Sequence, residues 1–181
     1  FYILCDMSTK PKAQFPGSIS VIMPAYNAAI WLPKSIPRIV EELKKANVSN
    51  AEIIVVDDGS SDDTALVASS LKLDYPVRVI KQNNAGRFLA RCNGVNVAKY
   101  EYVLFIDTRI YIGEGGLSFI GSRLIESKEK SVWTSHVIID RTHNIYARFW
   151  EALTFIAWRK YFSKPREYSY GIKEFDYYPK G

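Results

Sequence analysis

Four short apolar runs, each halted by a polar loop, constrain this chain more than any other feature. They are Ser18–Met23, Ala51–Val56, Val77–Ile80 and Tyr102–Ile106. Runs of this length, rich in β-branched residues and bounded by turn residues, read as buried strands. The segments between them carry helical spacing. In Ala29–Ala46, Ile30, Leu32, Ile36, Ile39, Val40 and Leu43 form an apolar stripe opposite Lys34, Arg38, Glu41, Glu42, Lys44 and Lys45. Pro33 and Pro37 predict a late start or a bend in that helix. Ser61, Asp62 and Asp63 are N-cap candidates for a second helix reaching about Leu71, and Ala85–Ala98 is a third. Alternation of apolar strands with helices predicts an α/β fold of parallel βαβ units.

In such sheets ligands sit beyond the carboxyl ends of the strands. That rule selects Pro24–Asn27, Asp57–Ser60, Gln82–Arg87 and Asp107–Arg109. Each segment admits two readings. Asp57 and Asp58 suit a ribose hydroxyl, a base N–H or a cation; alternatively they close the Asp-Gly turn or cap the next helix. Tyr26 and Asn27 offer a ring and an amide to a base, or simply pack at the sheet edge. Arg87 and Arg91, four apart near a helix N-terminus, suit a diphosphate or form a solvated basic face. Asp107 suits sugar hydroxyls, or a metal if a second carboxylate joined it, and none lies within two residues.

Composition removes other classes. Cys5 and Cys92 cannot form a disulfide scaffold, and no Cys/His cluster has zinc spacing. His136 and His143 read as structural. No apolar run reaches the length of a membrane span, and the opening residues lack the pattern of a secretory signal. The P-loop, the Gly-x-Gly-x-x-Gly fingerprint and the Gly-x-Ser-x-Gly elbow are all missing. The formal charge of +5 is concentrated: residues 141–181 hold 8 basic and 4 acidic side chains and 12 aromatics. The body is nearly neutral, which argues against a nucleic-acid binder.

Three stretches together resemble a family 2 glycosyltransferase: SISVIMPAYNAAIWLPKSI, AEIIVVDDGSSDDT and NNAGRFLARCNGVNVAKYEYVLFID. The resemblance covers roughly residues 18–112. It implies a GT-A, Rossmann-like, mostly parallel sheet in a three-layer α/β/α arrangement. The activity it implies is inverting sugar transfer from a UDP- or GDP-type donor to a saccharide or lipid-linked acceptor. By the same resemblance Pro24, Ala25 and Tyr26 flank the base and ribose, and Asp58 accepts from the base with Asp57 in support. Arg87 and Arg91 then lie near the base or phosphates. The chain is expected to divide into an irregular segment 1–17, broken by Pro11, Pro16 and Gly17, a nucleotide-sugar core 18–140 and a basic, aromatic segment 141–181 on the acceptor side or near a membrane, truncated at its end. A cytoplasmic location, peripheral at the inner membrane face, is expected.

The chain departs from the family pattern at one point. Asp107 takes the first place of the Asp-x-Asp motif, but the third residue is Arg109. The family's Mn²⁺ or Mg²⁺ therefore loses a ligand, since arginine only donates. Three outcomes are open: Arg109 meets the diphosphate without a metal, Asp107 alone anchors one, or the domain binds without transferring. More mildly, the family's Ala-Arg-Asn reads Ala90-Arg91-Cys92. For the base, Asp140, Glu151, Glu174 and Asp176 are acidic candidates, with Asp140 and Asp176 preferred. The aromatic segment 144–162 either packs over the sheet or closes the acceptor side, or else meets a membrane surface or a partner.

Overall fold

The computed structural model describes residues 15–126 together with Phe149. Hydrophobic runs form the strands β1 (Ile19–Ala25), β2 (Ala51–Asp58), β3 (Val77–Gln82) and β4 (Tyr102–Phe105). The helices are α1 (Leu32–Lys45), α2 (Thr64–Ser70), α3 (Gly86–Asn96) and α4 (Gly116–Glu126). All pairings are parallel and the order is β3-β2-β1-β4. Register places Ile19 beside both Ala51 and Tyr102, and Asp58 beside Gln82.

This order makes the expected three layers. The chain steps outward from β1 to β3, then returns through α3 to place β4 on the other side of β1. Alternation along the strands divides the core accordingly. Val21, Met23, Ile53 and Val55 meet Leu32, Ile36, Ile39 and Leu43 of α1, and Leu117 of α4 joins them. Ile22, Ile54 and Val56 meet Ala90 of α3 on the opposite face. Close approach there depends on Gly94, where a Cβ would come within 2.4 Å of Ile22 Cγ2.

β1 and β2 are buried throughout, as expected. The outer strands are not. β4 alternates, leaving Val103 and Phe105 exposed on a face that, among the described residues, no helix covers. α1 starts at Leu32, two residues after Ile30, the first residue of its apolar stripe, with Pro33 in its first turn and Pro37 inside it. The N-cap of α2 is Asp63, which makes no side-chain capping bond; Asp62 instead accepts from the Thr64 N–H at 3.0 Å. α4 was not expected, although Leu117, Ile120 and Leu124 carry a helical period.

At the amino end of the sheet, Glu52 is 1% exposed. Its Oε1 accepts from Ser20 Oγ and the Lys99 N–H, and its Oε2 from Arg78 Nη1 at 2.8 Å. Burial alone would raise its pKa, but these donors outweigh it and hold the carboxyl below the ordinary glutamate value.

Candidate functional site at the switch point of the sheet

The strand order reverses between β1 and β4, so the crevice beyond their carboxyl ends is where a ligand is favoured. Pro24 and Ala25 end β1 there, and Tyr26 follows with 54% of its surface exposed. Asn27 adopts φ 48°, a left-handed conformation that asparagine tolerates. Its Oδ1 accepts from the Ser61 N–H at 2.9 Å, and its own N–H donates to Ser60 Oγ at 3.0 Å. The Ala28 N–H donates to Thr64 Oγ1 and the Ala29 N–H to Asp62 Oδ2. Asp62 also accepts from the Thr64 hydroxyl. These donors overcome the effect of burial and depress the Asp62 pKa. With a further bond from Ser61 Oγ to Asn27 Oδ1 at 3.2 Å, five bonds stitch the β1 loop to the β2 loop, leaving the Tyr26 ring on a fixed backbone.

Asp57 and Asp58 lie in β2 and so point to opposite faces of the sheet. Asp57 Oδ1 accepts from the Ser60 N–H and closes the turn, in which Gly59 has φ 73°. A side chain at Gly59 would also strike the Asn84 backbone at 2.7 Å. Asp58, 4% exposed, holds the start of α3. It accepts from Gln82 Nε2 at 2.7 Å, the Ala85 N–H at 2.8 Å and the Gly86 N–H at 2.9 Å. A carboxylate at that helix N-terminus is favoured by the unpaired N–H groups and the helix dipole. The pair is therefore not presented jointly to one ligand.

Arg87 and Arg91 share one face of α3 and converge on Asp107. Arg91 Nη2 donates to Oδ1 at 2.8 Å, and Arg87 Nη1 reaches Oδ2 at 3.4 Å. Arg91 Nε is buried without a partner, so the protein leaves part of this guanidinium's donor capacity unused. Arg109 does not join them. It lies over the Trp31 ring, with Cζ 5.3 Å from the centroid. Lys34 Nζ lies 5.5 Å from the same centroid. One turn further along α1, Arg38 stacks on Tyr111 at 4.2 Å.

The donor set at Asp107 does not suit a divalent cation. Both of its oxygens face arginines, and the residue two places on is itself cationic. Among the described residues no group of three carboxylate, histidine or cysteine side chains could hold a metal. The same arrangement suits an anion. Asp140, Glu151, Glu174, Asp176, both histidines, the aromatic stretch 168–181 and, apart from Phe149, the aromatic segment 144–162 lie outside the described residues. A shallow hollow lined by Phe15, Pro16, Gly17, Ser49 and Ile125 lies at the opposite, amino end of the sheet. Among the described residues no helix is long and apolar enough to cross a membrane.

Trp31 was missed from sequence because it borders an apolar helical pattern. Its spacing of three from Lys34 was the available signal. The contacts of Asn27 with Ser60 and Ser61 had no local signal.

The model of the family described as glycosyl transferase family 2 matches residues 20–171. Glycosyltransferase GlyA of Streptococcus pneumoniae serotype 4 is 32% identical over 109 residues, covering 60% of this chain and 15% of that protein. GlyG of the same organism is 38% identical over 92 residues, covering 50% and 29%. The chain thus spans less than a third of these relatives' length. Among solved structures, S. aureus TarS 1–349 has a similar fold, with a TM-score of 0.51 and 24% identity, covering 70% of this chain and 40% of that one.

Proposed function

The chain belongs to glycosyl transferase family 2, and from that premise we propose that it moves a sugar from a nucleotide diphosphate donor to a saccharide or lipid-linked acceptor, with inversion. The observation that carries this reading is the convergence of Arg87 and Arg91 on Asp107 at the switch point. TarS, whose fold is similar, has been solved with UDP and with UDP-GlcNAc, which supports a uridine donor. On this reading the Tyr26 ring stacks on the base beside Pro24 and Ala25. Asp57 and Asp58 shape the loops around it. The donor phosphates then draw Arg87 and Arg91 from Asp107, which is left to accept from sugar hydroxyls. The work is proposed to take place at the cytoplasmic face of a membrane.

The reaction breaks the bond between the anomeric carbon and the β-phosphate oxygen. That oxygen keeps the electron pair and leaves with the nucleotide diphosphate. The acceptor oxygen forms the new bond from the opposite side, and its proton passes to a base. Negative charge grows on the leaving phosphate, and preorganised cations there lower the barrier. Arg87, Arg91 and Arg109 supply them, so no step is routed through a metal.

Calorimetric titration with UDP, GDP and CDP, in EDTA and then in Mn²⁺, tests the reading. Binding of UDP in EDTA is expected. Strict dependence on Mn²⁺ would overturn the arginine assignment, and no binding of any nucleotide would overturn the donor site. Arg109 at the second aspartate position also favours a domain that binds without transferring. Binding of UDP-GlcNAc with no turnover in the presence of acceptor saccharides would assign that role.

A further inference from the structure

We propose that Trp31 is a positioning residue whose ring holds the Arg109 guanidinium at the rim of the donor site, opposite Arg87 and Arg91. The inference rests on the nucleotide diphosphate reading above. Arg87 and Arg91 come from α3, on one face of the sheet, whereas Trp31 opens α1 on the other. An anion in the crevice between β1 and β4 is then met by the α3 arginines from one side and, from the other, by Arg109 of the turn after β4, resting on Trp31.

Trp31 is well placed to act as a platform. Its backbone N–H donates to the Ala28 carbonyl at 2.9 Å, and its own carbonyl accepts from the Lys34 and Ser35 N–H groups. Ser35 Oγ donates to the same carbonyl at 3.2 Å. Its ring packs against the apolar core. Ala28 and Ala29 are in turn bonded to Thr64 and Asp62, so the platform is tied to the stitched loops. Arg109 alone is a long, flexible side chain on an exposed turn, where the Ile110 N–H donates to the Asp107 carbonyl at 3.0 Å. Resting the guanidinium on an indole removes much of that freedom before the ligand arrives.

A second contact of opposite sense makes the arrangement more than one stray stacking pair. Trp31, Lys34 and Arg38 lie at i, i+3 and i+7, on one side of α1. The helix offers a ring to Arg109 and, two turns on, a cation to Tyr111. The segment after Asp107 is thereby fastened to α1 at two points. Lys34 brings a second positive charge over the Trp31 ring, which an incoming phosphate would offset.

Calorimetry in EDTA with UDP and with uridine on the full chain tests the proposal, using W31F, W31L, R109A and W31L/R109A. Expected is a loss of about tenfold in UDP affinity for W31L and for R109A, with uridine binding unchanged. W31F, which keeps a ring, should stay within about threefold of the parent, and the double variant should bind UDP no worse than R109A. W31M, apolar and ringless, takes the place of W31L if thermal melting shows the latter unfolded. An additive double variant, or an equal loss of uridine affinity, overturns the positioning role while the donor site stands. A parent chain that binds no UDP overturns the donor site itself.

Discussion

Arg91 donates from Nη2 to Asp107 Oδ1 at 2.8 Å, and that bond joins the third helix to the end of the fourth strand across the switch point of the sheet. It places a cation from one helical layer beside the carboxylate that a metal ligand set would need. The consequence is a site whose chemistry is set by guanidinium groups. The following outcomes are expected.

Replacing Arg91 by lysine keeps the charge but removes the planar fork. UDP affinity should fall about tenfold or more, because charge-assisted bonds of this kind are worth about 1.5–3 kcal/mol. R87A should fall less, since Arg87 stands 3.4 Å from Asp107 and its side chain is 76% exposed. Calorimetric titration of both variants checks the ranking; an R87A loss greater than the R91K loss would reverse the assignment.

Asp58 is expected to matter first for stability. D58A leaves Gln82, Ala85 and Gly86 without their shared acceptor, at a cost of about 2–3 kcal/mol. Denaturant unfolding measures the loss, and faster hydrogen exchange at Ala85 and Gly86 locates it. Unchanged stability with abolished nucleotide binding would instead make Asp58 a ligand residue only.

A methyl group at Gly94 meets Ile22 Cγ2 at 2.4 Å, a contact that the packed sheet must relieve by moving α3. G94A should destabilise the fold by about 1–3 kcal/mol. I22L removes the offending branch at similar volume, so the double variant should be more stable than the sum of the single effects. Thermal melts of the four proteins complete the cycle; strict additivity would show that the two residues are not in conflict.

Acid should weaken the fold through Glu52. Its folded pKa lies below the ordinary value, so the unfolded chain takes up the proton first as pH falls. The stabilisation is full above the ordinary glutamate range of about 4.3 and is lost as pH drops through the depressed folded value. E52Q cannot ionise, so its stability deficit relative to the parent should shrink steadily below about pH 4.5. Urea midpoints of both proteins from pH 7 to pH 3 test this; a constant deficit would show that the Arg78 and Lys99 contacts do not depend on charge.

Much of the site was readable before the fold was known. Tyr26 and Asp107 do lie just beyond strand ends, because an apolar run ending in polar residues places them there whatever the tertiary arrangement, and Arg87 and Arg91 lie four apart on the helix that follows β3. The Asp57–Asp58 pair was harder. The apolar run ends at Val56, but β2 continues to Asp58 because Gln82 of the neighbouring strand pairs beside it. That extension imposes the pleat on both carboxylates and separates them. Asp62 likewise looked like a helix cap and instead ties two loops together, since its partner Ala29 lies far away in the chain.

By itself the sequence determined the parallel α/β class, the position of three helices and four strands, and the polar strand ends. Those follow from periodicity and apolar content, which are local and act within a few residues. Only the tertiary structure decided that β4 joins β1 rather than β3, and with it which loops face one another. That choice is made by the path of α3 across the sheet, where Gly94 permits the close approach to Ile22. It brings Arg91 to Asp107, while packing of the segment after β4 on α1 sets Arg109 on Trp31. Such pairings between distant segments depend on three-dimensional packing, and no stretch of the chain encodes them alone.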